Sequence, residues 1–281
     1  MKRNNRLIQP IGSERYSLCL DSTMLAEDIA FLKKNNIKSI TLIERSGGYI
    51  LDNIDFLQSI PDLKEIYMAG CPCINNYNGL SYVKDLSVLV FSPQNNVKVD
   101  LSGLKSLNFL SFQYSNNIMG LKALSNITKL WVWGGNEDFF SPNVFSAYKN
   151  LSTLEINQSK LQDLYFVECC PLNTLIFNQV SSNFTLAGLS KLSRTLKVLK
   201  FIATKHVRDI SQLSSLVNLS SLILSNSFAL DNCKIIANLK KIESLTLIGS
   251  SFFKDGDLSS ISTIVNNLKH NNIAKKRHYF Y

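Results

Sequence analysis

Apolar and polar positions along this chain come in short, regularly spaced bursts. The pattern apolar-x-x-apolar-x-apolar recurs ten times, starting at Ile37, Leu63, Leu86, Leu107, Ile127, Leu151, Leu172, Leu196, Leu219 and Ile242. The mean interval is about 23 residues, the mark of an internal repeat. Within each burst the fourth and sixth positions are apolar, which predicts a short strand with one face turned inward. A second apolar cluster lies between bursts, as in Ile54-Asp55-Phe56-Leu57, Leu101-Ser102-Gly103-Leu104, Leu121-Lys122-Ala123-Leu124 and Ile210-Ser211-Gln212-Leu213. One unit is therefore a strand, a turn and a short helical or 3-10 piece returning to the next strand. A single unit cannot bury its own apolar side, so stacking supplies the core.

If the fourth and sixth positions point inward, the third, fifth and seventh face the opposite surface of the sheet. The fifth burst carries the most information. There Leu130 and Val132 alternate with Trp131 and Trp133, the chain's two tryptophans, so both indoles leave the core. Phe109, Trp131 and Trp133 are expected to form one patch bordered by Gln113, Lys129, Glu155 and Asn157. Glu65 and Tyr67 belong to the same face nearer the N-terminus, and Tyr114 lies one step past its strand. Aromatic anchors with a polar rim are the usual composition of a protein-binding hot spot. The loop at 134–142, which contains Phe139 and Phe140, is the segment that could fold over the indoles instead. The charged residues on this face, Glu65, Lys129, Glu155 and Lys200, cancel, which disfavours a phosphate-binding groove there.

The ends of a repeat stack expose core and need covers. Residues 15–20 alternate like an extra strand, and Asp21 or Ser22 can cap a helix over 24–34 whose Leu25, Ile29 and Leu32 share a face. Asp257 stands where a cap would begin a helix-like run over 258–270.

With this period and register the sequence resembles the leucine-rich-repeat family across roughly residues 30–250. The resemblance implies an α/β solenoid, a horseshoe of about ten repeats with a parallel concave sheet and short helices or 3-10 turns on the convex side. It divides the chain into an N-terminal cap of strand plus helix (1–34), repeats (35–250), and a C-terminal cap with a basic tail (251–281), in one continuous domain. The family's usual Asn, three residues after the last apolar strand position, is replaced here. Arg45, Cys71, Gln94, Ser115, Gly135, Ser159, Val180, Thr204, Ser227 and Ser250 occupy those places. Ser, Thr and Cys can donate weakly to a neighbouring turn in place of an Asn ladder, whereas Gly135 and Val180 cannot, which predicts irregular curvature. The segments Asp255-Gly256-Asp257-Leu258 and Lys276-Arg277-His278-Tyr279 are similar to the ending of a group of bacterial intracellular leucine-rich-repeat proteins. Some of that group are encoded beside polymorphic toxins and are taken to be immunity proteins. Asp255 and Asp257 would pair with Lys276 and Arg277 to close the last repeat.

Composition changes this picture only in detail. A hydrophobic fraction of 45% with 18% charged residues describes a folded chain, not a disordered one. No apolar run approaches the length of a membrane helix, and the basic start of the chain leads into no signal-peptide core, so a cytoplasmic location is expected. The net charge of +9 sits mainly at the ends, with +3 in residues 1–15 and +4 in residues 258–281. Six cysteines (Cys19, Cys71, Cys73, Cys169, Cys170, Cys233) lack the paired spacing of a zinc site and read as reduced, small hydrophobes. Catalytic motifs are missing, and His206, His270 and His278 fall outside the outward strand positions. The expectation is a monomeric, non-enzymatic module without metal or cofactor that binds another protein, with a toxin domain as the partner implied by the resemblance. The alternatives are a nucleic-acid binder using its basic termini and a regulatory subunit of an enzyme.

Overall fold

The computed structural model describes residues 7–10, 13, 15–44 and 48–280. Lys2, Arg3, Arg6 and Glu14, which contribute to the N-terminal charge, and Arg45 of the Asn-replacing series lie outside the described residues. The chain divides into two compact units, Met1–Leu130 and Trp131–Tyr281, and the division falls within the strand Lys129–Trp133.

In the first unit the strands Ser17–Cys19, Ser39–Ile43, Glu65–Gly70, Val88–Phe91 and Phe109–Gln113 pair in parallel and in sequence order. A two-residue strand, Leu7–Ile8, adds antiparallel to Ser17–Cys19. The repeat register is the pairing register: Ile40, Ile66, Leu89 and Leu110 stand side by side, and Met68, Phe91 and Phe112 form the next row. All seven are buried at 1% exposure or less. Full burial of such a side chain is worth about 1.5–3 kcal/mol, so each row is a large stabilising element that no single repeat could supply. The cap helix is Leu25–Lys34. It follows a 3-10 turn whose cap is Asp21, which accepts from the Thr23 N–H at 2.9 Å.

The second unit repeats the scheme with Thr153–Asn157, Thr174–Asn178, Val198–Ile202, Ser221–Ser225 and Ser244–Ile248, all parallel and without register shifts. Leu154, Leu175, Leu199, Leu222 and Leu245 form one inward row; Ile156, Phe177, Phe201, Leu224 and Leu247 form the other. Phe177 stacks on Phe201 with ring centroids 4.8 Å apart. Return segments are short 3-10 turns, among them Tyr165–Cys169, Leu189–Leu192 and Ile210–Ser215. Asx side chains start several of the returns of both units: Asn53, Asp100, Asp163 and Asn232 each accept the N–H two residues on at 2.9–3.1 Å.

Inside the second unit a ladder of buried hydroxyls takes the place of an Asn ladder. The N–H of Gly135 donates to Ser159 Oγ at 3.0 Å, that of Val180 to Thr204 Oγ1 at 3.3 Å, and that of Thr204 to Ser227 Oγ at 3.2 Å. The last rung runs from the Ser227 N–H to Ser251 Oγ at 2.9 Å, one residue later than the spacing predicts for Ser250. Ser159, Thr204 and Ser227 in turn donate to the carbonyl two residues back in their own repeat. Gly135 and Val180 lack a side-chain hydroxyl but still join the ladder, because the bond asks only for their backbone N–H. In the first unit the same positions bond differently. Cys71 Sγ lies 3.8 Å from Tyr49 O, and Gln94 Nε2 donates to Pro72 O at 2.7 Å.

The C-terminal expectations are corrected in two respects. The helix is only Ser262–Asn267, and the chain then forms a further strand, His270–Ile273, parallel to Ser244–Ile248. That strand escapes the apolar pattern because main-chain bonds at a sheet edge hold it while His270, Asn271 and Asn272 stay exposed. Asp255 and Asp257 do not pair with Lys276 and Arg277. Asp257 accepts from the Ser259 N–H at 2.8 Å, and Lys276 Nζ donates to Gly249 O at 2.9 Å. The ending is closed by backbone, with Leu258 N–H donating to Phe280 O and Phe280 N–H to Gly256 O, both at 2.9 Å.

Candidate functional site

In the first unit the outward face is more covered than alternation alone implies. Glu65 and Tyr67, both 7% exposed, and Phe109, 5% exposed, are buried rather than presented. The segment ahead of the first parallel strand explains the first two. Glu65 Oε2 accepts from Ser13 Oγ at 2.8 Å, Ser39 Oγ at 3.2 Å and Tyr67 OH at 3.2 Å, while Arg15 Nε lies 3.8 Å from Oε1. A carboxylate taken out of water needs such partners, and here the chain supplies them itself. Burial pushes the Tyr67 phenol up to about 12, with the Glu65 carboxylate adding in the same direction. Lys129 lays its ammonium 4.5 Å from the centre of the Phe109 ring, a cation–π contact that shields the ring. Gln113 and Tyr114 are half-buried, and Tyr114 OH donates to Asn116 Oδ1 at 2.9 Å.

In the second unit the alternation of the Trp strand is plain. Val132 is fully buried, whereas Trp131 and Trp133 are half-buried on the opposite face. Their rings meet edge to face, with centroids 6.4 Å apart and planes at 70°. The loop at 134–142 does not spend its aromatics on the indoles. Phe139 and Phe140 turn to the core side, where both pack on Phe145, at centroid distances of 5.5 and 6.1 Å, and Phe140 also packs on Phe166 at 5.3 Å. Gly135 makes room for this: a Cβ there would stand 2.5 Å from the Phe140 ring and 3.1 Å from Val132.

Glu155 is half-buried beside this strand position, but Asn157 is only 1% exposed. Its Oδ1 accepts from Asn178 Nδ2 at 2.9 Å, and its own Nδ2 has no protein partner among the described residues. Asn157 is therefore a buried polar element under the face, not a rim residue as the pattern suggests. Further along, Ile176, Lys200, Ile202, Ile223 and Ile248 continue the face half-buried.

No protein-family model matches the sequence, and no curated protein matches it. Solved structures do. An internalin from Listeria monocytogenes aligns over 86% of this chain and 69% of its own length, at 17% identity and a TM-score of 0.54. A leucine-rich-repeat protein of Leptospira interrogans aligns over 92% of this chain and 59% of its own, at 18% identity and a TM-score of 0.53. A TDR receptor aligns over 87% of this chain and 44% of its own, at 16% identity and a TM-score of 0.56. The fold is a leucine-rich-repeat solenoid. The chain spans less than two thirds of the second and third of these proteins. At such identities the likeness concerns architecture, and the fold class hosts many functions.

Among the described residues no three His, Cys, Asp or Glu side chains group as a metal site, and no helix is long and apolar enough to cross a membrane. Burial pushes the Cys71 and Cys170 thiols up to about 12, away from the range of a reactive thiolate. His278 Nε2 lies 2.9 Å from Phe253 O and helps fix the C-terminal closure.

Proposed function

We propose that this chain is a non-enzymatic protein-binding module, acting as a monomer in the cytoplasm, and that the Trp131–Trp133 strand is the centre of its contact surface. The supporting observation is the pair of indoles left partly exposed on the open face while the neighbouring loop buries Phe139 and Phe140 in the core. Each indole left partly in water forgoes burial worth roughly 25 cal/mol per Å², which a partner would recover. Glu155 supplies a polar rim in the same unit. On the first unit, Gln113, Tyr114 and Lys129 are polar or aromatic side chains of the face that remain partly exposed. Glu65, Tyr67 and Phe109 in the first unit, and Asn157 in the second, then act by stiffening the face of their own unit.

The finer form of this reading is an immunity protein that blocks a cognate bacterial toxin by steric occlusion. It rests on the similarity of the C-terminal segments to bacterial intracellular proteins of that type. A pull-down with wild type and Trp131→Ala/Trp133→Ala tests the surface. The double variant is expected to retain its far-UV circular dichroism and lose its partner; a folded double variant that retains every partner removes the indoles from the reading. Co-expression with the product of an adjacent toxin gene tests the finer form, with rescue of growth as the supporting result and unabated killing as the opposing one.

A further inference from the structure

The second unit carries a surface that the indole face does not use. At the entry edge of three successive strands, Arg194, Lys197, Lys240 and Lys241 line an open depression of about 480 Å³, with Asn218 and Ser220 between them. All four cations are exposed. The one acid of the depression, Glu243, is held by Lys269 Nζ at 3.0 Å, which leaves the four cations without an acidic partner among the described residues; Lys240 Nζ donates to Ala237 O at 3.2 Å. The turn bearing two of them is pinned: Asn218 Nδ2 donates to Arg194 O at 2.9 Å, and Ser220 Oγ donates to Lys197 O at 3.0 Å. The backbone at Arg194 and Lys197 is thus held before any ligand arrives, which lowers the ordering cost of binding.

We propose that this depression docks an acidic polypeptide segment, a run of clustered Asp and Glu side chains. Neighbouring strands lie about 4.8 Å apart, so the two cation pairs, on the first and third of three successive repeats, match the reach of a few consecutive residues of an extended acidic chain. A nucleic acid fits less well. No aromatic ring lines the depression to stack a base, and four cations fall short of the long phosphate track that strong nucleic-acid binding uses. The docking site is independent of the indole face and stands or falls separately.

The test is fluorescence anisotropy of a labelled peptide of consecutive glutamates, titrated with the full chain at low and at physiological salt. Three proteins are compared: wild type, Lys197→Glu/Lys241→Glu, and Lys160→Glu/Lys205→Glu. The two variants change the net charge equally, but Lys160 and Lys205 lie outside the depression. Wild type is expected to bind, to weaken as salt rises, and to lose about tenfold or more in affinity in the first variant while the second stays within about threefold. Thermal melts confirm folding, and Lys197→Gln/Lys241→Gln should fall between wild type and the charge reversal. Equal loss in both reversals would reduce the effect to bulk charge and overturn the proposal. So would absence of binding at low salt, or a single-stranded oligonucleotide of equal charge binding more tightly with the same dependence on Lys197 and Lys241.

Discussion

Thr204→Val is the most direct probe of what holds the second unit's turns together. Thr204 is fully buried, and its hydroxyl works twice: it accepts the Val180 N–H at 3.3 Å and donates to Ile202 O at 3.1 Å. Valine keeps the shape and replaces the hydroxyl by a methyl group. The Val180 N–H is then orphaned in a buried turn, at a cost of about 1–3 kcal/mol. The added methyl returns up to about 0.8 kcal/mol, so the net loss is about 1–2 kcal/mol. With a urea slope of about 2–3 kcal/mol per molar, the unfolding midpoint should fall by roughly 0.3–1 M at unchanged slope. Tryptophan fluorescence reads this well, because Trp131 and Trp133 sit in the same unit, and circular dichroism followed in parallel shows whether the transition stays cooperative. Ser250→Ala is the control, since that exposed hydroxyl donates only to Ser227 O. A Thr204→Val midpoint equal to wild type, or equal losses in the two variants, would refute the idea that the hydroxyl ladder stabilises the stack.

Three further outcomes are expected. Gly188 has φ +96°, and a Cβ there would lie 2.6 Å from the Leu164 carbonyl carbon; Gly188→Ala should therefore lower stability by about 1–3 kcal/mol in the same urea assay, and a neutral result would show that this turn relaxes freely. Because burial raises the Cys71 and Cys170 thiols to about 12, both should resist iodoacetamide near pH 8 in native protein and react once it is unfolded, as mass spectrometry of the labelled peptides would show. The Asp100 carboxylate is held below its usual range by the backbone N–H and then the hydroxyl of Ser102, so its contribution is present above the unfolded value of about 3.9 and is lost as pH falls through the lower folded value. Asp100→Asn keeps an accepting oxygen and should flatten this acid limb of the stability–pH curve; an unaltered limb would argue against the cap.

The repeat fold is legible in the sequence because its cause is local and periodic. A strand buried on one face must alternate, and a stack must repeat that alternation at a fixed interval, so the rows led by Ile40 and Leu154 follow from residue type and spacing alone. The same logic placed Trp131 and Trp133 opposite Val132, and picked out Ser159, Thr204 and Ser227 as ladder residues. Tertiary structure decided how much of each outward side chain meets water. Alternation tells which face a residue takes, but its burial depends on what remote chain lies over it: Ser13 and Arg15 on Glu65, the ammonium of Lys129 on Phe109, Asn178 beside Asn157. It also decided where charge gathers. Arg194, Lys197, Lys240 and Lys241 are scattered along the sequence, and only the stacking of successive repeats brings them to one depression. The final strand, His270–Ile273, belongs to the same class, since main-chain hydrogen bonds form at a sheet edge whatever the side chains are.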